Sequence, residues 1–160
     1  MSKYVIVSII SVLVGYIGIA IKGIYVRRKR ILSDYDTFLG EIIEEISYNK
    51  APLVEIVHNC MTGKSKQFVA LLLRLEESIS GKYYIEVDEK YLKARENKII
   101  QNCFNALGKK SVTAEIESLN NERRQSVAMS KRASDDYEKK GSLIAKLAIL
   151  LALALLILMV

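Results

Sequence analysis

Residues 4–30 read YVIVSIISVLVGYIGIAIKGIYVRRKR, an apolar run closed by a basic cluster. Tyr4 to Ile21 carries no charge over 18 residues. As a helix that is ~27 Å, close to the ~30 Å hydrocarbon core of a bilayer. Lys22 can snorkel, and the run continues to Val26. Arg27, Arg28, Lys29 and Arg30 follow, against Lys3 alone on the other flank. The positive-inside bias therefore predicts a cytoplasmic location from residue 27 onward and an N-terminus outside. Tyr4 and Tyr25 stand where interfacial aromatics belong. Gly18-Ile19-Ala20 offers a small-x-small cleavage pattern. The run is longer than a signal peptide's apolar region, however, and a stop-transfer-like cluster follows, so a retained membrane helix at 1–26 is expected.

The other end mirrors it. Leu143 to Val160 holds one charge, Lys146, and residues 142–160 make ~28 Å of helix. Lys139, Lys140 and Lys146 mark its cytoplasmic end. The expected protein is all-α. A helical-bundle cytoplasmic domain, 27–141, lies between transmembrane helices 1–26 and 142–160, in the cytoplasmic membrane with both termini outside.

Charge is unevenly placed. Residues 27–141 carry 21 basic and 18 acidic residues, a net +3, which becomes −1 without Arg27 to Arg30. The pI near 9.2 is largely a membrane-flank effect. A near-neutral domain argues against nucleic-acid binding, and the basic flank suits an anionic lipid surface. Cys60 and Cys103 make no disulfide framework and read as small buried hydrophobes in a reducing compartment.

Apolar periodicity outlines the domain. Ile31, Leu32, Tyr35, Phe38, Leu39, Ile42, Ile46 and Asn49 recur at helical steps, opposite Asp34, Asp36, Glu41, Glu44 and Glu45. Pro52, the only proline, breaks this helix and suits the first turn of the next, giving a sharp turn at residues 49–51. Tyr48 and Leu53 flank the turn and are expected to pack across it. A second helix carries Leu53, Ile56, Val57 and Cys60 on one side and ends at Thr62-Gly63. A third starts at Ser65, with Phe68, Leu71, Leu72, Leu75 and Ile79 inward, and stops at Gly81. Residues 82–87 have extended propensity but cannot build a sheet alone. Asp88 is a fitting N-cap for a fourth helix with Leu92, Ile99, Ile100, Cys103, Phe104 and Leu107 inward, and Gly108 as its stop. A long helix then runs from Ser111 or Thr113, with Val112, Ile116, Leu119, Val127 and Met129 inward, and reads as solvated beyond Leu119.

Catalytic groups are sparse. Gly63-Lys64-Ser65 matches the end of a phosphate-binding loop, but His58 occupies the position of its first glycine and a helix precedes it. His58 and Cys60 at i and i+2 face apart, so no metal site is expected. Glu44-Glu45 and Glu76-Glu77 point different ways. The expectation is a protein that is not an enzyme and holds no cofactor. Small residues line each membrane helix at steps of three and four: Ser8, Ser11, Gly15 and Gly18 on the first, with Lys22 at the next step, and Gly141, Ala145, Ala148 and Ala152 on the second. Such faces favour close helix packing.

Glu45-Ile46-Ser47-Tyr48-Asn49-Lys50-Ala51-Pro52-Leu53-Val54-Glu55 resembles the E-I-x-Y-x-x-x-P-L-x-E signature of the stage III sporulation protein AB family of endospore formers. The resemblance places weight on Glu45, Ile46, Tyr48, Pro52, Leu53 and Glu55. A later family motif, L-G-x-(S/T)-D with a Gln four residues on, is similar to Leu107-Gly108-Lys109-Lys110-Ser111 and Glu115. Lys110, Ser111 and Glu115 depart from it. The second membrane helix also lacks glycines usual in the family. The resemblance implies a component of the channel complex between mother cell and forespore, in the mother-cell membrane. It also implies a domain similar to the platform proteins of type II secretion, F type. Its expected partners are the cytoplasmic secretion-type ATPase (stage III sporulation protein AA) and other membrane subunits. A general membrane-anchored helical adaptor outside sporulation is the alternative.

Overall fold

A computed structural model describes the backbone of residues 2–48 and 51–157 and the side chains of 8–48, 51–155 and 157. Its regular elements are all helical: α1 (Ser2–Tyr48), α2 (Leu53–Asn59), α3 (Lys66–Gly81), α4 (Ala94–Ala106), α5 (Val112–Asp136), a π-helical turn (Tyr137–Gly141) and α6 (Ser142–Ile157). The expected turn residues Asn49 and Lys50, the Tyr4 side chain and residues 158–160 lie outside this description. The chain divides into two compact units, Met1–Lys29 with Arg132–Val160, and Arg30–Lys131.

In the first unit, α1 and α6 meet through small residues. A Cβ added to Gly18 would collide with the Ala148 Cβ, and one added to Gly15 would touch Ala152 at 4.0 Å. Only glycine allows this approach at position 18. The opposite surfaces are apolar and exposed, as at Val12, Tyr16, Leu147 and Leu150. Among the described residues one helix, α1, is long and apolar enough to cross a membrane, over Ser8–Tyr48. The 16 residues of α6 form the most apolar of the remaining helices.

Where this apolar pair ends, charge is neutralised locally. Arg28, 6 % exposed, donates from Nη1 to Asp136 Oδ2 at 2.8 Å. Lys140 reaches the other oxygen of Asp136 at 3.4 Å, and the Lys29 ammonium lies 5.2 Å from the centre of the Tyr137 ring. The π-turn falls here, with the Ser142 N–H donating to the Tyr137 carbonyl five residues back. One extra residue in the turn resets the helix face, and Gly141 comes to lie against Tyr25, where a Cβ would stand 3.0 Å from the Tyr25 Cβ.

The second unit is organised on four rings. Tyr35 and Phe38 on α1 each meet Phe68 of α3 and Phe104 of α4 edge to face, with centroids 5.9–6.4 Å apart. Ile31, Leu39, Leu72, Leu75 and Ile100 close round them without exposure. Edge-to-face pairs add about 0.5–1.5 kcal/mol each beyond area burial, so this cluster fixes angles as well as contact.

Three expectations change. The acidic side of α1 is a seam: Asp34 accepts from the Ser65 N–H at 2.9 Å, Asp36 from Ser126 Oγ at 2.6 Å, and Glu41 takes Lys64 Nζ on both oxygens at 2.7 Å. The fourth helix begins at Ala94, not Asp88, with Lys93 as N-cap and its N–H donating to Glu96 Oε2 at 2.9 Å. On α5, Val112 and Val127 are 61 % and 50 % exposed, and the buried stripe runs Glu115, Leu119, Ser126, Met129. Two of those four are polar, Ser126 bonded to Asp36 and Glu115 bonded through Oε1 to the Gly108 N–H, so an apolar count along this helix misplaces its inner face.

Residues 82–93 form neither strand nor helix; α4 holds them. Asn105 Oδ1 accepts from the Ile85 N–H at 2.9 Å, Gln101 Oε1 from the Val87 N–H at 3.0 Å, and Asn97 Oδ1 from the Glu89 N–H at 3.2 Å. Asn97, Gln101 and Asn105 lie four residues apart and so share one helix face. Their amides do for this extended segment what a neighbouring strand would do. Ile85 and Val87, two apart, both turn inward.

Candidate functional site

The two motif stretches meet at one corner of the second unit. Pro52 (φ −58°) is the N-cap of α2, and its carbonyl accepts from the Ile56 N–H at 3.1 Å. Its fixed φ and missing N–H suit a helix start. Leu53 then lies against Gly108, where a Cβ would stand 2.9 Å from Leu53 Cδ2. Gly108 has φ +74°, a left-handed value that glycine adopts without cost after a helix end. Its N–H donates to Glu115 Oε1 at 3.3 Å, which holds the start of α5 to the end of α4. Glu115 is 6 % exposed.

Two grooves open at this corner. One, of about 480 Å³, runs past Ile46, Tyr48, Leu53, Lys110, Val112 and Glu115. The other, of about 690 Å³, runs past Lys82, Tyr83, Tyr84, Phe104 and Lys109. Leu53 and Gly108 line both. Tyr48 is 86 % exposed, which overturns the expectation that it packs across the turn. Leu53 is half-buried there. Of the other motif residues, Ile46 and Glu45 are half-buried, while Pro52 and Glu55 are exposed. Tyr83 and Tyr84 were not singled out as functional by the sequence; their adjacency after the Gly81 helix stop was the available signal.

Polar groups also lie within the core, where Tyr35 and Cys103 are buried. Burial pushes the Cys103 thiol from its ordinary 9.0 up to about 12, and the Tyr35 hydroxyl well above its usual range. Glu122 is also raised by burial, with the Lys110 charge acting against the rise. Cys60, buried and close to Glu41, is pushed up to about 11. None of these thiols is poised as a nucleophile.

Ser11, Gly18 and Ala145 are buried, and Gly15, Ala148 and Ala152 half-buried, along the contact of α1 with α6. An apolar groove of about 340 Å³ flanks that contact between Ile17 and Leu147. Of the basic flank, Arg27 and Arg30 are exposed. Lys64 and the Ser65 N–H, the residues of the phosphate-loop-like triplet, are engaged by Glu41 and Asp34. His58 Nδ1 lies 3.4 Å from Glu76 Oε2. Among the described residues no group of three His, Cys, Asp or Glu could hold a metal ion.

No curated protein and no solved structure matches the chain. A family match covers residues 3–160 and takes in both motif stretches and the helices on either side. The chain belongs to the Stage III sporulation protein AB family (spore_III_AB), whose name carries a role in the third stage of sporulation.

Proposed function

We propose that this protein is a two-pass component of the mother cell's cytoplasmic membrane that anchors a cytoplasmic secretion-type ATPase (stage III sporulation protein AA) beneath the channel complex. In this reading residues 27–141 are cytoplasmic, and the helices at 1–26 and 142–160 span the membrane. The small-residue contact at Gly15, Gly18, Ala148 and Ala152 supports paired spans, and the basic residues at 27–30, 139 and 140 support the orientation. Two attachments would restrain the domain against rotation, as a platform beneath a cycling ATPase requires. The chain performs no covalent chemistry; its work is placement.

The observation that carries this reading is the convergence of both motif stretches on one exposed corner with two grooves. A corner built only for packing would bury Tyr48. The test is co-flotation of the purified ATPase with vesicles holding the full-length chain. The ATPase is expected to float with these vesicles and to sediment with empty ones. An ATPase that ignores the chain would contradict the reading.

A further inference from the structure

The grooves are unlike the rest of the domain in charge. Their charged lining is Lys82, Lys109, Lys110 and Glu115. Glu115 is 6 % exposed, accepts from the Gly108 N–H through Oε1 and leaves Oε2 without a partner, so the two linings together set three exposed cations against one buried carboxylate. Lys82, Lys109 and Lys110 are exposed, and none has a carboxylate partner among the described residues; Lys110 Nζ donates only to Ser118 Oγ, at 2.7 Å. Lys82 holds φ +52°, a left-handed value rare for a side-chain residue, and caps α3 there. Between the lysines lie the tyrosines Tyr48, Tyr83 and Tyr84, at 86 %, 52 % and 64 % exposed.

By contrast, the acidic side of α1 is largely spent on internal bonds through Asp34, Asp36 and Glu41. Three exposed ammonium groups, none in an ion pair, round an apolar, aromatic floor fit a segment with the opposite sign and apolar anchors. We propose that the paired grooves at the Leu53–Gly108 corner bind an acidic segment of the partner protein, with aliphatic or aromatic side chains seated at Leu53 and carboxylates on Lys82, Lys109 and Lys110. This rests on the docking reading for the identity of the partner, but not for the chemistry of the site. Tyrosine floors supply contact area at low entropic cost, and complementary charge sets encounter rate and register.

The experiment uses the full-length chain in discs of zwitterionic lipid, which remove lipid charge as a rival attraction. Three probes are measured by fluorescence anisotropy: the ATPase, an amphipathic leucine–glutamate peptide and its leucine–lysine counterpart. Both the ATPase and the acidic peptide are expected to bind, at least ~10-fold more weakly to the Lys82→Glu/Lys109→Glu/Lys110→Glu chain and more weakly as salt rises. The lysine peptide is expected not to bind. Glu44→Lys/Glu55→Lys should change affinity less than ~2-fold. Circular dichroism guards against misfolding of either variant, and Leu53→Asp, tested alone, should also lose the peptide. Acidic-peptide binding without ATPase binding would keep the grooves and sink the docking reading. Equal binding of both peptides, or unchanged affinity in the lysine variant, would overturn the groove assignment. So would loss in that variant of binding to anionic vesicles alone, which would give the lysines to a lipid surface.

Discussion

Gly108 and Leu53 touch so closely that a methyl group on Gly108 would stand 2.9 Å from Leu53 Cδ2. This contact joins the two motif stretches, which are more than fifty residues apart in the chain. Gly108→Ala faces both the methyl overlap and a φ of +74° that alanine disfavours. The expected loss is about 1–3 kcal/mol, read from denaturant unfolding of the full chain in mixed micelles. Leu53→Ala should remove the overlap but not the backbone strain, so the double variant should recover part of the loss. An alanine variant as stable as wild type would mean that the corner is not held as described.

The helix contact in the first unit makes a paired prediction. Gly18→Ala pushes a methyl group into Ala148, and Ala148→Gly makes room for it. Overpacking of this kind costs about 1–3 kcal/mol. Gly18→Ala should weaken unfolding resistance in micelles, and adding Ala148→Gly should restore most of it. Failure of the second change to rescue the first would separate these helices.

The buried thiols set a pH dependence. Cys103 and Cys60 are raised from 9.0 to about 12 and about 11 because burial disfavours the thiolate. A raised pKa means the folded state prefers the protonated form. The stability this gives is complete below pH 9 and is lost as pH climbs through 11 and towards 12. Tyr35, raised well above 10.0, acts with the same sign. Unfolding followed from pH 8 to 11 should therefore show declining stability, and a Cys103→Ala chain a shallower decline. Neither thiol should react with maleimide in the folded protein near neutral pH. For this reason the native cysteines cannot report topology, whereas Lys110→Cys, at an exposed position, can. An impermeant maleimide should reach it only after the cells are opened.

The apolar helices and the core were legible because their signal is periodic. Tyr35, Phe38, Phe68 and Phe104 stand at helical steps in the sequence and meet in space. What escaped is polar. Asn97, Gln101 and Asn105 look like solvent-facing residues, yet their amides fasten the backbone of Ile85, Val87 and Glu89. Asp34, Asp36 and Glu41 look like a solvated face, yet their partners Ser65, Ser126 and Lys64 lie 23–90 residues away. Periodicity marks where a residue lies on its own helix, not which distant donor it meets. Tyr48 failed in the opposite direction: beside a proline turn an aromatic ring suggests packing, and the structure leaves it to solvent. The motif corner was legible through Glu45 to Glu55. Its grooves were not, since Lys82, Tyr83, Lys109 and Gly108 join it only through the fold.

Holding the ATPase at the membrane is the role proposed for this chain. Its most direct test is the position of a fluorescent ATPase in sporulating cells with and without the chain. Membrane fluorescence in the mother cell is expected when the chain is present, dispersal through the cytoplasm when it is deleted, and recovery when full-length wild-type chain is supplied. An ATPase that stays at the membrane after deletion would contradict it.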